Sequence, residues 1–310
     1  MQLISAEEVA AALAWDSLIE RMAQAFREGV EAPPRHHHPM QRVDGEATML
    51  IMPAWQREGY IGVKMVNVFP QNAEQGLPAI SGVYLLCEGD HGRPLACIDG
   101  GELTRRRTAA ASALAARELA RKEAESLLLV ATGKLAPMLI EAHASVRPIK
   151  QVRIWGRNPD KARHLAKAYA ERFDCAAVDD LKAAVGKADI VSCATLSTRP
   201  IVQGAWLKPG THLDLVGAFR PDMRESDGEC FSRSEVFVDT HAGARGEAGD
   251  LLQAVEEGAC TFDAIRADLA ELLRGDRPGR SDASAITLFK SVGASLEDLV
   301  AAIEVWERSA

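Results

Sequence analysis

The sequence lacks the features that mark most specialised protein classes. No apolar run approaches the roughly 20 residues that a membrane-spanning helix needs. Met1-Gln2-Leu3-Ile4 leads into an acidic amphipathic stretch, so no signal peptide is expected. Positive charge is not in surplus: the 310 residues carry a net charge of −8 with the basic side chains dispersed, which argues against a nucleic-acid or anionic-membrane surface. The six cysteines (Cys87, Cys97, Cys175, Cys193, Cys230, Cys260) form no C-x-x-C pair and lie mostly in apolar runs. They are expected to be small buried hydrophobes in a reducing cytoplasm. No internal repeat or low-complexity linker is visible.

Two kinds of catalytic constellation are also missing. No Ser/His/Asp order or nucleophile elbow appears, because Ser81-Gly82 lacks the strand-to-helix setting that motif requires. Arg35-His36-His37-His38 follows Pro33-Pro34 in what reads as a loop. Three successive histidines cannot all ligate one ion with good geometry, and no further ligand stands at a metal spacing, so no metal is expected. His143 and His164 lie on helical stretches and read as structural.

What is present is a chain long enough for one or two domains, organised around Leu127–Asn158. A buried strand (Leu127–Val130) enters a turn at Gly133. A helix with Leu135, Met138, Leu139 and Ala142 at 3/4 spacing follows, and then a second strand from Val152 to Trp155. Such a strand-helix-strand unit of roughly 30 residues suits a parallel crossover. The free N–H groups and positive dipole end of its helix suit a pyrophosphate. The turn Ala131-Thr132-Gly133-Lys134-Leu135-Ala136 reads A-x-G-x-x-A where the dinucleotide fingerprint wants G-x-G-x-x-G/A. Gly133 permits close backbone approach and Ala136 close helix packing, whereas Ala131 stands where a glycine normally makes the tight turn. The second strand ends Trp155-Gly156-Arg157-Asn158, with a guanidinium where an NAD-specific fold places an acid on the ribose diol. Arg157 can pair with a 2'-phosphate, which favours NADPH over NADH; the alternative is a solvated Arg capping a turn.

Ser5 and Glu8 make a capping box for a helix expected to run to about Gly29, and Thr48–Asp99 reads as an antiparallel meander. A helix follows Glu102. Beyond Asn158 helices and strands alternate, with strands near Cys175–Val178, Asp189–Cys193, His212–Val216 and Val236–Asp239, so the fold class is α/β with a doubly wound Rossmann-type sheet. Gly246–Glu257 reads as helical. Ile286–Lys290 reads as extended and Ser295 with Asp298 as the cap of a last helix to about Arg308. Since the sheet is already complete, this final segment is expected to return to the N-terminal domain.

Charges also fall among apolar residues. In Tyr60–Phe69 alternation puts Lys64 on a face with Gly62, Val66 and Val68. It is either an edge Lys whose stem snorkels to water or a cation lining an anion site. Arg105, Arg106 and Arg107 lie about 100° apart around a helix. Arg107 shares its face with Ala110, Ala111 and Leu114 and is the inward one. Its partner is either a bidentate substrate carboxylate or an internal Asp or Glu. Arg35 is a third candidate cation.

The runs GVKMVNVFP (from Gly62), GLPAISGVYLL (from Gly76), DGGELTRRRTAAASALAAR (from Asp99), SCATLSTRPIVQGAWLKPGTHLDLVGAFRPDMRE (from Ser192) and SVGASLEDL (from Ser291) resemble the ornithine cyclodeaminase/mu-crystallin family over nearly the whole chain. The resemblance implies a Rossmann domain (123–289) inserted into an α+β substrate-binding and homodimerisation domain (1–122 and 290–310). It implies Arg107, Lys64 and Arg35 as ligands of a substrate carboxylate, with Lys64 and Arg107 as the catalytic candidates, and Ser81 as the hydroxyl residue of the next strand. For the cofactor it implies Thr132, Gly133, Lys134, Leu135, Ala136, Gly156, Arg157, Asn158, Ala194, Thr195, Gly217 and the late pair Val292-Gly293. In Gly217-Ala218-Phe219-Arg220-Pro221, Phe219 replaces the catalytic Asp of the cyclodeaminase branch. Without that acid the expected activity is NADPH-dependent reduction of cyclic imino acids, 1-pyrroline-2-carboxylate to L-proline and 1-piperideine-2-carboxylate to L-pipecolate, with NADH as the weaker cofactor. The alternatives are a cyclodeaminase-type lyase using NAD and a non-catalytic ligand-binding protein of the mu-crystallin kind.

Overall fold

The computed structural model describes residues 1–43 and 45–309, the side chains of Ala73 and Glu74 excepted. It forms two compact units, Met1–Thr108 with Ala294–Ala310, and Ala109–Gly293. In chain order the elements are β1 (Gln2–Ile4), α1 (Ala6–Ala12), α2 (Trp15–Glu28), β2 (His36–Arg42), β3 (Gly45–Trp55), β4 (Tyr60–Val68), β5 (Ile80–Glu88), β6 (Pro94–Asp99) and α3 (Gly100–Leu119). There follow β7 (Ser126–Val130), α4 (Ala136–Val146), β8 (Gln151–Trp155), α5 (Pro159–Tyr169), β9 (Asp174–Ala177), α6 (Leu181–Val185), β10 (Ile190–Cys193), β11 (Thr198–Val202) and β12 (His212–Leu215). The chain closes with β13 (Arg224–Ser226), α7 (Gly228–Ser232), β14 (Glu235–Val238), α8 (His241–Glu247), α9 (Gly249–Glu256), β15 (Ile265–Asp268), α10 (Leu269–Arg274), β16 (Thr287–Lys290) and α11 (Ser295–Ser309).

In the first unit six strands lie in the order β1-β6-β5-β4-β3-β2, antiparallel except for β1 beside β6. The meander is the expected one, but two local expectations need correcting. His36–His38 belong to the exposed edge strand β2 rather than to a loop. The first helix is two helices: the Ser5–Glu8 capping box starts α1, and Leu13 then leaves helical geometry (φ −96°, ψ 86°) with its side chain fully buried. Strand alternation gives the sheet two unlike faces. Gly62, Lys64, Tyr84, Leu86, Ala96 and Ile98 are buried on the side of α11, while Ile61, Met65 and Val83 stay exposed on the other.

The second unit is built on eight parallel strands in the order β15-β14-β16-β12-β10-β7-β8-β9, with a small β11-β13 pair beside them. Because β8 and β9 lie on one side of β7 and β10 on the other, the strand order reverses between β7 and β10. In open parallel sheets such a reversal, at the carboxyl ends of the strands, is where ligands are received. The unit's strands are short and buried on both faces, mostly apolar, with Ser192, His212 and Asp214 as buried polar members. Ile286–Lys290, expected only to be extended, forms β16 between β12 and β14 as a central strand, and α11 belongs to the first unit. The division also falls inside α3 rather than after residue 122, where small buried residues (Ala109–Ala111, Ala113–Ala116) enter the second unit's core.

Candidate active site

The first unit carries a fully buried cluster of charge. Lys64, on the central strand β4, is 2% exposed, so its stem does not snorkel to water. Its Nζ lies 2.6 Å from Asp298 Oδ2. Arg107 Nε donates to Asp298 Oδ1 at 2.8 Å and its Nη1 to Glu297 Oε2 at 2.6 Å. Asp298 therefore holds both cations at once. Arg105 and Arg106 are accounted for elsewhere: both pair with Glu102, and Arg106 also donates to the Leu13 carbonyl and lies over the Trp15 ring.

Burial pulls the Lys64 ammonium down to about 8, helped by the like charge of Arg107 and opposed by Asp298. Burial would raise Asp298, but Arg107 and Lys64 outweigh it and hold that carboxyl below its ordinary value. The charge of Arg35 is felt at both Lys64 and Asp298, which places it with this group. The Tyr84 hydroxyl is buried beside the cluster, has no hydrogen-bond partner among the described residues, and closely approaches Gly62, where any Cβ would overlap it.

One expectation changes here, and two further placements become clear. Asp298 is not a helix cap partner for Ser295; its carboxylate is spent on Lys64 and Arg107. The carboxylates on Arg107 come from the protein, so a substrate would join an existing ion cluster rather than meet a bare guanidinium. Ser81 pairs with Asn67, while Lys64 pairs with Tyr84. Odd and even positions point to opposite faces, so Ser81 is exposed on the side away from Lys64. Glu297 and Asp298 were the residues missed. The available signal was spacing, since Asp298 stands three, four and seven residues before Ala301, Ala302 and Val305 on a buried helical stripe.

The second unit brings the fingerprint turn together. Ala131 is buried with no left-handed backbone, and no non-glycine residue among those described has positive φ, so the missing glycine leaves no strain. Gly133 also has ordinary φ, and a Cβ built on it meets nothing within 4 Å. Neither backbone nor packing explains the glycine, and open space beside the start of α4 fits a phosphate group. Lys134 is exposed there; Leu135 is the N-cap of α4 and Ala136, fully buried, its first residue. Gly156 is required by Thr132, whose Cγ2 would lie 2.5 Å from an added Cβ. Arg157 is exposed just beyond the end of β8. Asn158 Oδ1 caps α5, accepting the Asp160 and Lys161 N–H groups.

Ala194 and Thr195 follow β10, and Gly217 follows β12. A Cβ on Gly217 would overlap the Thr195 carbonyl, so this glycine serves the approach of two strand ends. Asp239 Oδ2 accepts both Val292 and Gly293 N–H at 2.7 Å, and Gly293 takes the left-handed φ of 83°. Phe219 offers no acid and packs against the second unit's apolar core. Of the cysteines only Cys193 and Cys230 are fully buried, and all six are free.

Fold and site thus define a dinucleotide-binding α/β protein whose other unit carries a buried cationic cluster. The model of the ornithine cyclodeaminase/mu-crystallin family matches residues 1–310, and the chain belongs to that family. A protein of Schizosaccharomyces pombe is 46% identical over 314 residues, covering 97% of this chain and 95% of its own. The delta(1)-pyrroline-2-carboxylate reductase of Paracoccus denitrificans is 37% identical, covering 97% and 95%. Among solved structures, the Thermococcus litoralis delta(1)-pyrroline-2-carboxylate reductase in complex with NADH and L-proline superposes with a TM-score of 0.93 at 31% identity, covering 100% of this chain and 97% of that one. An archaeal alanine dehydrogenase dimer with bound NAD gives 0.93 at 27% identity, covering 100% and 96%.

Proposed function

We propose that the chain is an NADPH-dependent reductase of cyclic imino acids, turning 1-pyrroline-2-carboxylate into L-proline and 1-piperideine-2-carboxylate into L-pipecolate. The reading is carried by the buried ion cluster. Lys64 and Arg107 are paired with Asp298 and Glu297, and the charge of Arg35 reaches the same group, so a substrate carboxylate would meet cations already held in place. A lysine at about 8 remains mostly protonated at neutral pH yet gives up its proton readily, which suits a general acid. Lys64 accordingly protonates the imine nitrogen and receives its proton back from solvent. Asp298 holds that ammonium, and Arg107, braced by Glu297 and Asp298, fixes the substrate carboxylate.

The nicotinamide, when bound, supplies the hydride that adds to the imine carbon. Thr132, Gly133 and the start of α4 would hold its pyrophosphate and Arg157 a 2'-phosphate, the basis for preferring NADPH to NADH. Phe219 cannot take a proton from an amino acid, so no ammonia is released from ornithine. The exposed apolar face of the first sheet (Ile61, Met65, Val83) is the surface on which a second copy packs, as expected of a homodimer.

Incubation of the purified protein with NADPH and 1-pyrroline-2-carboxylate, and separately with L-ornithine and NAD, tests the reading. Proline should form in the first mixture and no ammonia in the second; ammonia release would make the protein a lyase, and silence in both a binding protein. Light scattering should report a dimer, and Met65→Glu a monomer.

A further inference from the structure

A second buried ion cluster, in the second unit, takes no part in the chemistry above. Glu225, fully buried in β13, accepts the Thr195 N–H through one carboxylate oxygen at 2.5 Å and the Gly217 N–H through the other at 2.6 Å. These donors belong to the segments that leave the carboxyl ends of the neighbouring strands β10 and β12. Beneath it, Asp250 Oδ1 accepts the Glu225 and Ser226 N–H groups at 2.7 and 2.9 Å. The other oxygen of Asp250 is 3.2 Å from Lys290 Nζ, which itself donates to the Leu215 carbonyl at the end of β12. Lys290 ends β16, two residues before Val292-Gly293. One buried unit of two carboxylates and one ammonium therefore reaches the ends of three adjacent parallel strands, where a dinucleotide fold receives its ligand.

The identity of Gly217 follows from the same contacts. A Cβ there would overlap the Thr195 carbonyl and stand 2.6 Å from Glu225 Oε1, so the residue is glycine to let the carboxylate join the two segments. We infer that Glu225 is a positioning residue for the cofactor: ionised, it clamps Thr195 to Gly217 at the spacing that receives the nicotinamide half of the dinucleotide, and protonated it releases one of them.

A protonated carboxyl has one oxygen turned donor, so it can no longer accept both N–H groups. The titratable groups facing Glu225 are Asp250 from α9, Lys290 from β16 and the Cys193 thiol from β10, which burial keeps neutral. With two acids against one lysine, all buried, burial and Asp250 push Glu225 up to about 7, against the pull of Lys290 and the two N–H groups. The clamp is thus complete above neutrality and opens as pH falls through it.

The inference rests on the dinucleotide reading of the second unit and is tested with NAD, which has no 2'-phosphate to titrate. Calorimetric titration of the wild type from pH 6 to 8.5 should show NAD affinity falling about tenfold toward the acid end, since one buried charged hydrogen bond is at stake. Amide exchange of the free protein at Thr195 and Gly217 should quicken over the same range, a readout independent of turnover. Glu225→Gln should weaken NAD about tenfold at pH 8 and flatten the profile, while Glu225→Asp should keep a pH dependence with reduced affinity. A folded Glu225→Gln with wild-type affinity, or a wild-type profile flat from pH 6 to 8.5, would overturn the inference. Absence of NAD binding at every pH would instead overturn the dinucleotide reading.

Discussion

Asp298→Asn is the most informative perturbation, because it removes one charge and almost no volume from the middle of the first unit's ion cluster. Lys64, at about 8, owes part of its hold on the proton to the Asp298 carboxylate 2.6 Å away. Loss of an adjacent opposite charge shifts a buried group by about one to three pKa units, so the ammonium should titrate at about 5 to 7 in the variant. The proton donor must be charged, so the alkaline limb of the kcat/KM profile for the imine should move down by that amount. At pH 7 the protonated fraction falls from about nine in ten to between about a half and one in a hundred, a loss of roughly two- to hundredfold. Leaving Lys64 and Arg107 facing each other should also cost about 3–5 kcal/mol of stability, readable by denaturant unfolding. The assay is the pH dependence of NADPH oxidation, with circular dichroism to establish that the variant is folded. A folded variant whose limb remains near 8 would refute Lys64 as the acid held by Asp298. A limb that follows the imine's ring size instead would assign it to the substrate.

Burial holds His212, beside Thr287 in β16, at about 3, against the pull of Asp214. The unfolded chain takes up a proton near 6.5 that the folded chain refuses until about 3, so stability falls as pH drops through that window, by about 2 kcal/mol at pH 5. Urea unfolding of wild type and His212→Gln at pH 7 and pH 5 measures this, and an equal acid loss in both would assign it to other groups. Arg157→Ala should weaken NADPH by roughly 10- to 100-fold and NADH little, since only the 2'-phosphate loses a charged contact; equal losses in direct binding titrations would remove the 2'-phosphate role. Ala131→Gly should change NADPH affinity by less than about threefold, because the backbone there is unstrained. A tenfold gain would show that the natural alanine distorts the turn.

Sequence alone determined what depends on near neighbours. Apolar alternation and 3.6-residue periodicity marked the meander, the β7-α4-β8 crossover and the parallel sheet. Helical spacing picked Arg107 as the inward arginine of three, and long motifs pointed to the family. Tertiary structure decided whatever depends on which distant segments meet. Asp298 looked like a cap partner because local pattern favours Ser-x-x-Asp, yet α11 packs on β4 and carries its carboxylate to a lysine over two hundred residues away. Ile286–Lys290 read only as extended, and strand order makes it central. The face that Ser81 occupies is set by register across strands, whereas a motif records neighbours along the chain. Glu225 left no local signal at all: its role consists of two backbone N–H groups that fold close to it, and a sequence does not record where its own backbone donors will point.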